Sequence, residues 1–169
     1  MSHPSMIGRM LHEEHLETSE AMNTLEEMID GRHRNRPPDV AQPAVRDRLC
    51  ALIAAVDHDL CRHFQFEERD LFPLLAKAGL ADVTAMLVHE HDTIRALAAR
   101  LQAVAIHGLQ HSFDKAAWRN FCDAGMDLVP SVLFHIQKEE VSVIRQLDVL
   151  LDEATDRQLA ATLTAEAGD

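Results

Sequence analysis

The chain has 169 residues, of which 47% are apolar and 26% charged. These proportions are ordinary for a soluble globular domain, and a chain of this length buries enough surface to fold without disulfides. Its net charge of −12 argues against nucleic acid and anionic membranes as main partners, because both carry negative charge. The three cysteines form no Cys-x-x-Cys pair, which excludes thioredoxin-type motifs and cysteine-rich zinc knuckles.

The N-terminus lacks the apolar core of a signal peptide, and no apolar run approaches 18 residues. We therefore expect a cytoplasmic protein with no membrane span. No linker or low-complexity segment divides the sequence. A single domain is predicted over residues 1–169, with its core at about 5–150 and a C-terminal tail at 151–169.

Glycine and proline cluster at three breaks, at 31–43, 77–80 and 107–114. The four segments between them are rich in strong helix formers, and their apolar residues recur every three or four positions, as in Ile7, Leu11, Met22, Leu25 and Ile29. This pattern predicts an all-α protein, an antiparallel up-down four-helix bundle. A short fifth helix is predicted within residues 152–166.

Each apolar stripe is interrupted by polar residues that should face the interior of the bundle. The interruptions are His15, His63, Glu67, His91, His135 and Glu139. Burying these groups costs several kcal/mol unless each finds a partner. A metal ion is the simplest common partner, because imidazoles and carboxylates together are ligands for iron, manganese or zinc.

The pattern His-x-x-x-Glu places a nitrogen and a carboxylate on one helix face and occurs at His63 and His135. By chance alone, about two of the eleven histidines should have an acid at that spacing. The spacing alone is therefore a weak signal. It becomes informative because both copies continue into a second Glu and lie in alternate segments, 72 residues apart. Carboxylates from two facing helices can bridge two metal ions.

Segments one and three share another pattern, Leu-His-Glu-Glu-His at 11–15 and Leu-Val-His-Glu-His at 87–91. Together with the His-x-x-x-Glu-Glu motifs, this arrangement resembles the hemerythrin-like HHE cation-binding domain over about residues 5–150. The resemblance implies a four-helix bundle that holds two iron ions joined by an oxygen. It also implies His15, His63, His91 and His135 as terminal ligands, with Glu67 and Glu139 as bridges.

The oxygen-carrying hemerythrins have five ligand histidines, whereas this chain has Leu87 and Arg95 four residues either side of His91. The set of four histidines and two glutamates is more similar to the regulatory and iron-sensing branch of the family. His12, at the edge of its stripe, could supply a fifth imidazole. Glu68 and Glu140 are expected outside the ligand set.

The resemblance implies a protein that binds or senses dioxygen, nitric oxide or iron, so a small diatomic ligand is the expected partner. Two alternatives stay open. One is a di-iron enzyme for peroxide reduction, ferrous oxidation or nitric-oxide repair, and the other is a single-zinc or metal-free interaction module. A dry aromatic shell is expected around the site, formed by Phe64, Phe72, Phe121, Phe134 and Trp118. The basic run 32–36 is expected to be a solvated loop.

Overall fold

A computed structural model describes residues 5–166, without the side chains of His58 and Asp59. The described residues are 88% helical and contain no strand, which confirms the all-α prediction. The helices are α1 (Met6–Ile29), α2 (Pro43–Ala54), α3 (Leu60–Phe66), α4 (Phe72–Leu75), α5 (Ala81–His111), α6 (Lys115–Ser142), α7 (Leu147–Leu150) and α8 (Glu153–Glu166). They form four long helical stretches, 6–29, 43–80, 81–111 and 115–142, followed by the short α7 and α8.

The second stretch, 43–80, departs from regular α-helix at three π-helical turns, Ala55–Asp59, Glu67–Leu71 and Ala76–Leu80. Single π-turns are common at functional sites, and the second one begins on Glu67. The predicted break at 77–80 is real, because Gly79 has a φ of +102°, which only glycine adopts readily. The predicted break at 107–114 starts late, since α5 continues to His111.

Contacts group the chain into two compact units. Of the described residues, the first unit takes in 5–17, 62–91 and 134–166, and the second takes in 18–61 and 92–133. The apolar core of the first unit is built from Ile7, Leu11, Phe66, Leu71, Phe72, Leu75, Leu87, Val143, Leu147, Leu159 and Leu163. Most of the predicted stripe residues are buried, which confirms the helical reading of the apolar pattern.

The C-terminal segment is an integral part of the first unit. Helix α8, the predicted fifth helix, buries Leu159 and Leu163 in that core. Its Asp156 carboxylate accepts hydrogen bonds from the Ser5 hydroxyl (2.6 Å) and from the backbone N–H groups of Met6 (2.8 Å) and Ile7 (3.1 Å). Because the first N–H groups of a helix have no partner within it, Asp156 acts as a cap for α1 supplied from far along the chain.

Aromatic packing dominates the second unit. Trp118 stacks on Phe121 with ring centroids 5.1 Å apart, and Phe113 packs edge-on against both. The Trp118 indole donates to the carbonyl of His33 at 2.8 Å, and Arg34 pairs with Asp123. The basic run 32–36 lies outside any helix, and all of its residues except the half-buried Arg34 are exposed, which confirms the predicted solvated loop. The two contacts with Trp118 and Asp123 also tie this loop to α6.

The second and third stretches taken together, Pro43–His111, contain a window of mean hydropathy 1.6 that meets the length and composition test for a membrane-crossing helix. The core helix of a soluble protein passes the same test, so a single stretch is weak evidence of a span. The expectation that nothing crosses a bilayer stays a prediction.

We predict that Asp156→Ala lowers the free energy of unfolding by about 1–2 kcal/mol, as loss of a helix cap does. The control is Glu153→Ala on the same helix, whose carboxylate is 84% exposed and should change stability by less than about 0.5 kcal/mol. Urea denaturation of both variants measures the difference. Equal effects would contradict the cap.

The contribution of Asp156 to stability should depend on pH. The pKa of the Asp156 carboxyl is lowered. Burial alone would raise it, but the hydrogen bonds from Ser5, Met6 and Ile7 have the larger effect. A carboxyl with a lowered pKa contributes stability above the unfolded value, and the contribution is lost as pH falls through the folded value. The difference in the free energy of unfolding between wild type and Asp156→Ala should therefore become smaller in strong acid, as urea denaturation at several pH values would show.

Candidate metal centre

The six residues that interrupt the apolar stripes all lie in the first unit and are all buried, with side chains no more than 7% exposed. Each long helical stretch contributes to the group. His15 lies on α1, His63 on α3, His91 on α5 and His135 on α6, while Glu67 and Glu139 follow His63 and His135 by one turn. Apart from these six, the buried polar residues of the described chain are Ser5 and Thr84.

The four imidazoles form two pairs. The Nε2 atoms of His15 and His63 are 3.2 Å apart, and those of His91 and His135 are 3.1 Å apart. These pairs, with the two glutamates, provide two groups of convergent ligand atoms. One group is His15, His63, Glu67 and Glu139, and the other is Glu67, His91 and His135.

Each of the two buried carboxylates lies against both histidine pairs. Glu67 places Oε1 3.1 Å from His63 Nε2 and Oε2 3.4 Å from His91 Nε2. Glu139 places Oε2 3.4 Å from His15 Nε2 and 3.5 Å from His135 Nε2. This is the position that a carboxylate shared between two cations would occupy.

The other nitrogen of each ring is held by a carboxylate from a neighbouring stretch. We call these acids the outer ring: Glu14, Glu68, Glu90 and Glu140. In chain order, His63 Nδ1 bonds Glu14 (2.7 Å), His91 Nδ1 bonds Glu68 (2.7 Å), His135 Nδ1 bonds Glu90 (3.1 Å) and His15 Nδ1 bonds Glu140 (2.7 Å). Each stretch thus orients the histidine of the next, and the last orients that of the first.

The chemistry of this donor set fits a cation. A carboxylate only accepts hydrogen bonds, so each Nδ1 must carry the proton and each neutral Nε2 must present a lone pair inward. All four oxygens of Glu67 and Glu139 are buried, and none has a hydrogen-bond donor among residues 5–166. Buried acceptors without donors are costly, and metal ions supply what they lack. Histidines oriented by carboxylates are the usual arrangement around protein-bound metals.

The family model of the hemerythrin HHE cation-binding domain matches residues 6–147. The chain belongs to this family. Its fold is the hemerythrin-like all-α helical bundle, as predicted, and membership implies that it binds a cation. Among curated proteins, no relative matches the sequence. Helix α8 lies beyond the matched residues.

In this HHE centre, the pKa values of Glu67 and His63 are raised, so both groups bind protons more readily when no metal is bound. Burial and then the charge of Glu139 raise the pKa of Glu67 to about 7. Burial would also raise the pKa of Glu139, but His135 and His15 hold it well below its usual value. Burial would lower the pKa of His63, but the Glu67 charge and the Glu14 hydrogen bond outweigh it and raise this pKa well above the ordinary value.

Aromatic rings cover one pair of imidazoles. Phe64 stacks on His91, with centroids 3.7 Å apart and planes 10° from parallel, and its ring edge meets His135 at 5.4 Å. Phe72 lies 5.6 Å from His91. The predicted shell is thus right for these two phenylalanines. It is wrong for Phe134, which is 62% exposed, while Phe121 and Trp118 belong to the core of the second unit.

His12 lies outside both groups of convergent atoms. Its side chain is 51% exposed, and its Nδ1 donates to Glu140 Oε1 at 2.9 Å, the same oxygen that holds His15. The structure therefore places His12 behind the outer ring, at solvent. Glu68 and Glu140 lie in the outer ring, as expected.

The sequence reading missed two of the four outer acids, Glu14 and Glu90, and the cations behind them. Arg62 Nη2 donates to Glu14 at 2.8 Å, and Lys138 pairs with Glu90. A signal was present, because the dipeptide Glu-His recurs at 14–15 and 90–91. Neighbouring residues on a helix point about 100° apart, so one member of each dipeptide faces the centre and the other faces the next stretch.

We predict that Glu14→Gln and Glu90→Gln each weaken metal binding by about 10- to 100-fold, as loss of an orienting partner does. Glu13→Gln, an exposed neighbour, is the matched control and should leave the affinity unchanged. Competition with a chromogenic chelator, using Zn²⁺ as the probe, measures all three. The orienting role would be refuted by equal affinities in the three variants.

Metal affinity should fall as the pH is lowered. Below its pKa of about 7, Glu67 holds a proton that a metal must displace, and His63, whose pKa is raised, adds to this competition. We expect Zn²⁺ to bind at least about tenfold more weakly at pH 6 than at pH 8. The same chelator competition, calibrated at each pH, provides the test, and an affinity that is constant or higher at pH 6 would contradict it.

Proposed function

We propose that this HHE domain is a non-haem di-iron protein that binds or senses a diatomic molecule, dioxygen or nitric oxide. The observation that carries the proposal is the position of Glu67, whose two oxygens each face an imidazole of a different pair. A carboxylate in that position supports two metal ions, one for each pair. Glu139, which also faces both pairs, would be the second carboxylate shared by the two ions.

The donor set supports iron as the resident metal. Each proposed ion would be held by two imidazoles and by oxygens of Glu67 and Glu139. Neither group of convergent atoms includes a cysteine, so the soft ligands that select copper or iron–sulfur clusters are missing from the set. Manganese and zinc accept the same ligands. An iron pair that its protein ligands leave unsaturated supplies open positions at which a diatomic molecule can bind.

The surroundings of the centre favour binding or sensing over catalysis. In the described part of the chain, every buried histidine and every buried carboxylate belongs to the six candidate ligands. The outer ring is fully engaged in holding the imidazoles, and the flank at His91 is covered by Phe64 and Phe72. Among these residues, no buried carboxylate or imidazole beyond the six is left to move a proton to or from a substrate.

The chain's own residues then have distinct roles. The four imidazoles and two carboxylates would hold the metal ions, and the outer ring fixes the tautomer and orientation of each imidazole. Phe64 and Phe72 limit the access of water to His91 and His135. Arg62 and Lys138 pair with Glu14 and Glu90, and these positive charges favour the ionised carboxylates, which accept hydrogen bonds.

The test is the metal content per chain, measured by mass spectrometry on untagged protein from iron-supplemented cells. We expect two irons in wild type and in the exposed control Glu17→Gln, and at most one in Glu67→Ala and Glu139→Ala, because each bridge serves both ions. Two irons in either bridge variant, or a single zinc in wild type, would overturn the di-iron proposal.

A second arm separates sensing from catalysis. Reduced, iron-loaded protein titrated with nitric oxide or dioxygen should show a saturable change in visible absorption. The same sample should not turn over hydrogen peroxide or ferrous iron. Steady turnover that His63→Ala abolishes would instead establish a di-iron enzyme.

A further inference from the structure

The second unit carries two histidines that the centre does not use, His107 and His111. They are four residues apart in the last turns of α5, so their side chains share one helix face. Their ring centroids are 4.9 Å apart, and both residues are exposed. The sequence predicted a break between helices at 107–114, and in a loop the four-residue spacing would not place the two side chains on one face.

Neither imidazole is committed to another group. Among the described side chains, each has the other ring as its sole aromatic contact, and neither imidazole takes part in a hydrogen bond or ion pair. This distinguishes them from His12, which is bonded to Glu140, and from the four buried histidines. Their ring nitrogens are available to a ligand from solvent.

The end of α5 is held in place by local packing. Ser112 has a φ of +65°, the left-handed conformation that commonly ends a helix. The next residue, Phe113, folds back over Gly108, where a Cβ would lie only 2.1 Å from the ring. A glycine is therefore required at 108. The last turn is fixed with the two imidazoles already side by side, so little freedom is lost when both bind one ion.

The electrostatics of the helix end also favour a cation. The last carbonyls of a helix have no partner within it and carry the negative end of its dipole. Arg46 already donates to one of them, the Leu109 carbonyl, at 3.4 Å. The positive charge of this guanidinium would repel a bound cation and so oppose part of that attraction.

We propose that His107 and His111 form a second, surface metal site, a two-imidazole chelate for a divalent transition ion. Two histidines at this helical spacing can bind one ion together, as in helical zinc motifs. A ligand set of imidazoles without carboxylates selects Ni²⁺, Cu²⁺ or Zn²⁺ over Mg²⁺ and Ca²⁺. Water completes the coordination, so the site exchanges its metal freely. This inference does not depend on the proposed di-iron function.

Calorimetric titration of the metal-replete chain with Ni²⁺ tests the site. We expect wild type to bind one additional Ni²⁺, with at least about tenfold weaker binding in His107→Gln and in His111→Gln. The matched control is His33→Gln, which removes one exposed imidazole that lies in the 30–36 loop, and should bind Ni²⁺ as wild type does. All three positions are exposed, and unchanged melting temperatures would verify folding.

Metal analysis before and after the titration separates the two sites. Nickel taken up in exchange for the resident metal belongs to the buried centre and is subtracted. The site is overturned if wild type takes up no further Ni²⁺, or if both single variants bind it as tightly as wild type. A loss in His33→Gln equal to that in the pair variants would also overturn it, because a chelate requires two imidazoles on one helix face.

Discussion

Two buried carboxylates that no donor in the described chain satisfies are the constraint on which the first unit depends. Glu67 and Glu139 are fully buried, and removing such groups from water costs several kcal/mol unless a positive charge faces them. The imidazole Nε2 atoms lie 3.1–3.5 Å from these carboxylates, where a proton or a metal ion would meet that need. A metal ion meets it better, because it can be shared among all the acceptors at once.

The outer ring explains how four separate stretches of chain hold one centre. Each stretch supplies a candidate ligand and an adjacent acid, as in Glu14-His15 and Glu90-His91. The two side chains of each dipeptide point in different directions, so every stretch bonds to the next through a histidine. The same hydrogen bonds therefore orient the imidazoles and join the helical stretches to one another. The hydrophobic core around Leu11 and Leu87 makes the arrangement stable, and the hydrogen bonds make it specific.

Helix α8 adds to what the HHE domain supplies. It lies beyond the residues that the family model matches, yet it buries Leu163 in the core of the first unit. Through Asp156 it also caps the helix that carries His15. The stability of the first unit therefore depends on residues from both ends of the described chain.

The sequence by itself determined the helices and the six inward polar residues, because burial repeats with the helical period and polar breaks in that period are visible in one dimension. The tertiary structure decided which groups meet across helices. The roles of Glu14 and Glu90, the exposure of Phe134 and the position of His12 behind Glu140 all depend on which stretch lies alongside. The same holds for His107 and His111, since the turn that fixes them ends where Phe113 folds back over Gly108. Periodicity reports which face of a helix is buried, but the partner on that face is set by packing between segments distant in sequence.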